Sequence, residues 1–135
     1  MLQKMRVLLL VCFTSILVAC GGGGGDETPN FAGNYAISTL NLNYNNCNAA
    51  VPATVAGGTD TVSQNGRAIT IGSVSGSVDA DNGGFTVSFT QVSNGITVVS
   101  TFAFRTITTG SKYELRYTTA AGPCSAVYVG TATKI

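Results

Sequence analysis

Few side chains here can titrate, attack or ligate, and they are not an enzyme's set. Histidine is absent, which removes every arrangement in which an imidazole takes a proton from Ser or Cys. Six carboxylates are spread over 135 residues, whereas acid/base catalysis needs two held near one another. Asp79-Ala80-Asp81-Asn82-Gly83-Gly84 places carboxylates two residues apart and follows them with Asn and Gly, a spacing that can wrap oxygens around calcium. The third acidic position and the distal bidentate Glu of such loops are missing. Asp, Asn and Gly are also what a tight hairpin requires, and the hairpin is the simpler assignment. The run Gly21–Gly25 is not followed by Lys-Ser/Thr or a helix, so it is no phosphate loop. No catalytic residue, metal or cofactor is expected, and the chain reads as non-enzymatic.

The cysteines carry more information: Cys12, Cys20, Cys47 and Cys124. Lys4 and Arg6 charge the N-terminus, and Val7 to Val18 is then almost continuously apolar. That run fits a signal-peptide core and falls short of the roughly 20 residues of a membrane-spanning helix. Leu17-Val18-Ala19-Cys20 closes it. This tetrapeptide resembles the lipobox of bacterial lipoproteins. The resemblance implies diacylglycerol on the Cys20 sulfur, with Leu17, Val18 and Ala19 recognised by the signal peptidase that cuts before Cys20. Palmitate-type chains would then hold the protein to a membrane. Residue 21 is Gly rather than Asp, which favours the outer membrane of the cell envelope.

The expected organisation is a signal peptide over residues 1–19, a lipidated Cys20 with a tether to residue 30, and a folded domain over 31–135. From Gly21 to Asn30 nothing apolar is available to bury, and a flexible chain of that length reaches on average about 17 Å. Cys12 is lost with the signal, and two cysteines are left to face an oxidising compartment. A Cys47–Cys124 disulfide is expected, closing most of the domain into one loop. With no histidine, these two cysteines cannot complete a zinc site without scattered carboxylates. Charge is sparse: Arg67, Arg105, Lys112, Arg116 and Lys134 against Asp26, Glu27, Asp60, Asp79, Asp81 and Glu114. There is no basic stripe for phosphates, so nucleic acid is not an expected partner, and the chain reads as a monomer.

From Phe31 onward, segments of Val, Ile, Thr, Phe and Tyr are divided by Gly, Asn, Asp and Ser, the pattern of short strands and tight turns. Strands are predicted at Gly33–Leu40, Thr59–Gln64, Ala68–Ile71, Val74–Asp79, Phe85–Gln91, Ile96–Arg105, Lys112–Thr118 and Ser125–Thr133. Asn65-Gly66, Asn82-Gly83 and Asn94-Gly95 supply the positive φ of hairpin turns. Alternation points Tyr35, Ile37, Ile69, Ile71, Phe85, Val87, Phe89, Ile96, Val98, Phe102, Phe104, Tyr113, Leu115, Tyr117, Val127 and Val129 inward. Tyr44 falls in an Asn-rich loop, Asn41–Asn48, beside Cys47. The expected fold is an all-β antiparallel up-and-down meander of about eight strands closed into a small barrel, with a two-sheet β-sandwich as the alternative.

Phe31-Ala32-Gly33-Asn34-Tyr35 resembles the first strand of calycin-type barrels and the start of small bacterial lipoproteins, although the chain has no Trp. Thr109-Gly110-Ser111-Lys112-Tyr113 is similar to the Ser-Gly-x-(Lys/Arg)-Tyr loop of periplasmic lysozyme inhibitors, with Thr109 in place of the Ser. Three roles follow as expectations: a non-enzymatic binding or structural envelope lipoprotein, an inhibitor of a periplasmic hydrolase such as lysozyme acting through that loop, or a carrier of a small apolar ligand. The carrier needs a cavity to survive Phe85, Phe89, Phe102, Phe104 and Tyr113, which are expected to leave little room.

Overall fold

A computed structural model describes residues 27–135. Ten strands follow in order: β1 (Gly33–Ile37), β2 (Leu40–Asn45), β3 (Thr54–Val55), β4 (Gly58–Asn65), β5 (Ala68–Ile71), β6 (Val74–Val78), β7 (Gly84–Ser93), β8 (Ile96–Thr108), β9 (Lys112–Ala121) and β10 (Cys124–Lys134). All pairings are antiparallel, and β4 to β10 pair each with the next. β1 joins both ends of that run, pairing with β4 through Gly33↔Val62 to Ile37↔Gly58 and with β10 through Tyr35↔Lys134 to Ile37↔Ala132. The sheet therefore closes into an eight-stranded barrel, and the sandwich alternative is set aside.

Two strands lie outside the barrel and were not expected. The segment drawn as a strand to Leu40 breaks at Ser38 and Thr39, and β2 continues it along the lower half of β10, pairing Leu42 with Tyr128 and Asn45 with Ala126. Ser38 makes the bend: its backbone N–H donates to the Thr131 carbonyl at 2.9 Å, and the Thr131 N–H donates to Ser38 Oγ at 2.9 Å. Gly130 leaves room for it, because a Cβ there would run into Leu40 Cδ2 at 2.5 Å and Ser38 Oγ at 2.7 Å. The Asn-rich segment is thus mostly strand. Leu40 and Leu42 point toward the core, while Tyr44 is exposed. Asn is a poor strand former, and it masked an otherwise regular alternation.

Turn chemistry sets the hairpins. Asn94 and Gly95 both have positive φ, 51° and 75°, as a two-residue turn between right-twisted strands requires. Asn65 instead ends β4, and Gly66 takes the positive φ with Arg67 beside it. In the β6–β7 connection Asn82, not Gly83, carries the positive φ.

The core is concentrated at one end. Phe31, Tyr35, Phe85, Phe104 and Tyr113 are buried there, with Phe85 and Phe104 stacked at 4.4 Å and Tyr35 edge-on to Tyr113 at 5.4 Å. The segment before β1 closes this end like a lid: Gln64 accepts from the Phe31 N–H at 2.7 Å and donates to the Pro29 carbonyl at 2.9 Å. Tyr35 donates its hydroxyl proton to the Phe31 carbonyl at 2.6 Å. Burial, reinforced by Tyr113, pushes the Tyr35 phenol well above its ordinary value near 10. Above that pH the unfolded chain releases the proton while the folded chain keeps it. Stability should therefore fall by about 1.4 kcal/mol per pH unit on the alkaline side from this group. Denaturant unfolding between pH 9 and 11 checks this, and Tyr35→Phe should make the decline shallower.

Several inward assignments change. Along β10 the buried residues are Ala126, Tyr128 and Ala132, not Val127 and Val129, which are only partly covered. Two valines made the wrong face look apolar, whereas a small Ala suits a crowded barrel wall. Ile96 is 57% exposed because it sits at the tip of the β7–β8 hairpin, beyond the barrel. Ser100, which interrupted the apolar face of β8, is buried near the Tyr117 hydroxyl at 3.4 Å.

Candidate functional site

The opposite end of the barrel is open, for a reason visible in the hairpin lengths. β5 and β6 end at Ile71↔Val74 around a turn carried by Gly72, which has a φ of 58°. β7 and β8 run on to Ser93↔Ile96. The last β6–β7 pair is Ser75↔Ser88, so from Phe89 onward β7 has a partner on one side only. The short hairpin exposes what the long one carries. A cavity of about 240 Å³ results, lined by Ile37 on β1, Asp60 on β4, Ile71, Val74, Val87 and Phe89, and by Phe102 and Phe104 on β8. Phe85 and Tyr113 thus pack the plugged end, whereas Phe89, Phe102 and Phe104 line a space at this one, against the expectation of little room.

A row of rings crosses four strands at this mouth. Phe89 lies 6.3 Å from Phe102 at 17°, Phe102 lies 4.6 Å from Tyr117 at 11°, and Tyr117 lies 5.8 Å from Tyr128 at 22°. Register makes the row, since Phe102↔Tyr117 and Tyr117↔Tyr128 are direct cross-strand partners. Such pairs stabilise a sheet and fix its register. The row ends at Phe89, and among the described residues no further ring lies against it.

Asp60 is the functional candidate that the sequence reading did not single out. It stands two residues before buried Val62, on the same side of β4, and it lines the cavity. Its carboxylate makes no ion pair or side-chain hydrogen bond among the described residues. A charged residue with inward parity in a predicted strand was the available signal.

The other candidates lie elsewhere. Leu17, Val18, Ala19 and Cys20 are outside the described residues. Thr109, Gly110 and Ser111 form the β8–β9 turn at the plugged end, with Gly110 at a φ of 75°. Lys112 is exposed there, but Tyr113 is 1% exposed and belongs to the core, leaving four of the five motif residues at the surface. Cys47 and Cys124 are joined in a disulfide with their Cα atoms 4.7 Å apart, just beyond the end of the β2–β10 ladder.

The Asp79–Gly83 loop is a turn braced by charge. Arg105 Nη1 meets Asp79 at 3.1 Å and Asp81 at 3.0 Å. Thr86 Oγ1 donates to Asp79 and the Gly83 N–H donates to Asp81, each at 2.9 Å. That N–H and the guanidinium hold the Asp81 carboxyl below its usual range, and both carboxylates raise the Arg105 guanidinium. The oxygens that calcium would need are already engaged.

Among the described residues, the lining of the mouth is apolar apart from the carboxylate of Asp60. No family model matches the chain, and no curated protein or solved structure matches it either.

Proposed function

We propose that this chain is a lipid-anchored, non-enzymatic envelope protein that binds a small apolar ligand at the open end of its barrel. The cavity between the short β5–β6 hairpin and the long β7–β8 hairpin carries the binding role. Its wall is almost wholly aliphatic and aromatic, the lining from which small-molecule sites are built. Its volume is below the roughly 300–1,000 Å³ of drug-sized sites, so the ligand would be compact. The anchor rests on Leu17-Val18-Ala19-Cys20 and the charged, apolar leader before it; cells fed labelled palmitate should mark the native chain and not Cys20→Ala.

The binding role is tested on the full chain with the neutral fluorophore N-phenyl-1-naphthylamine. Saturable binding of one molecule per chain is expected. Val74→Phe fills the space beside the turn at Gly72 and should weaken binding about tenfold, by loss of accessible apolar wall rather than by unfolding. Absence of saturable binding, or equal binding by Val74→Phe, would remove the support for a ligand in this cavity.

A further inference from the structure

We propose that the mouth selects organic monocations: ligands with a compact apolar or aromatic body and a single ammonium group held by Asp60. This rests on the binding role above and names the ligand class for the same site. Among the described residues, Asp60 is the only charged side chain on the cavity wall. It also lines the adjoining recess of about 210 Å³ beside Ile37, Leu40 and Phe102. The guanidinium of Arg105 is committed to Asp79 and Asp81 at the plugged end, and no Lys or Arg among the described residues pairs with Asp60. A carboxylate beside apolar wall repels a carboxylate-bearing ligand such as a fatty acid and attracts an ammonium, the more strongly as a bound ligand displaces water from between them.

The aromatic row adds to the preference. Phe89 ends the row, with Phe102 its one ring neighbour among the described residues, and it lines the same cavity as Asp60. A cation over the face of a ring lining the cavity is drawn by the ring quadrupole. The size limit follows from the volume: an apolar cavity of about 150 Å³ holds benzene, so about 240 Å³ takes one ring with a short side chain. An arylalkyl ammonium fits both requirements, with its ring among Ile71, Val74 and Val87 and its charge at the rim.

Titration calorimetry on the full chain with three probes of one shape decides the matter: 2-phenylethylammonium, 2-phenylethanol and phenylacetate. The cation is expected to bind about tenfold more tightly than the alcohol, with the anion weakest. Asp60→Asn keeps the shape of an exposed residue, so the variant should unfold at the same temperature. It should lower the cation's affinity to that of the alcohol and leave the alcohol unchanged. Equal affinities for cation and alcohol in the native chain, or a cation preference that survives Asp60→Asn, would overturn the charge selection while leaving an apolar binding site standing. If no probe binds and N-phenyl-1-naphthylamine also fails, the binding role falls and this inference falls with it.

Discussion

Replacing both Cys47 and Cys124 with serine is expected to lower the unfolding free energy by about 4–5 kcal/mol, measured by urea titration of the oxidised native chain against the double variant. The bridge spans a sequence separation of 77, and closing so long a loop removes much of the freedom of the unfolded chain. Little of the effect should come from folded contacts, because both cysteines lie at the margin of the sheet and are only partly covered. Hence the single variant Cys47→Ser should lose nearly as much as the pair. Reduction of the native protein by dithiothreitol should reproduce the loss without any substitution. A loss below about 1 kcal/mol would mean that the unfolded chain already keeps β2 near β10, so that the crosslink has little left to restrict.

Phe85→Ala is expected to cost about 3–5 kcal/mol by the same titration. Phe85 is fully buried and touches three other rings, with Phe31 at 5.2 Å, Tyr35 at 6.4 Å and Phe104 stacked at 4.4 Å. Truncation removes the stacked partner of Phe104 and opens a void at the plugged end, where the Phe31 lid rests. Phe85→Leu keeps most of the volume and should cost under about 2 kcal/mol. The contrast separates lost volume from lost ring geometry: near-equal costs for the two would show that the stack itself, rather than the space it fills, holds this end together.

The parts that were legible in the chain are those governed by local rules. Alternation in Tyr113-Glu114-Leu115-Arg116-Tyr117 and in Phe85–Phe89 gave the correct faces, and the Asn94-Gly95 dipeptide marked a hairpin that forms as expected. The Cys47–Cys124 bond followed from there being one available pair once Cys12 and Cys20 were set aside. What was not legible depends on partners distant in sequence. β2 hid behind Asn41, Asn43 and Asn45, whose weak strand propensity is overcome only because β10 offers a free lower half. Val127 and Val129 misled because β-branched residues satisfy either face of a strand, and only the bulge between Val127 and Tyr128 and the pairing with β9 decide between them. The cavity arises from a difference in length between two hairpins, β5–β6 and β7–β8, and no single segment states it. Asp60 is itself exposed, and only closure of the barrel places it beside that apolar wall.

The lid that Pro29, Asn30 and Phe31 place over the barrel has a directional consequence. The chain enters the fold at that lid, while Asp60 and Phe89 open at the far end of β1. On the proposed anchor at Cys20, the tether would join the fold at its stoppered base, which puts the orifice at the opposite end from the point of attachment. A guest would then enter without passing the mooring.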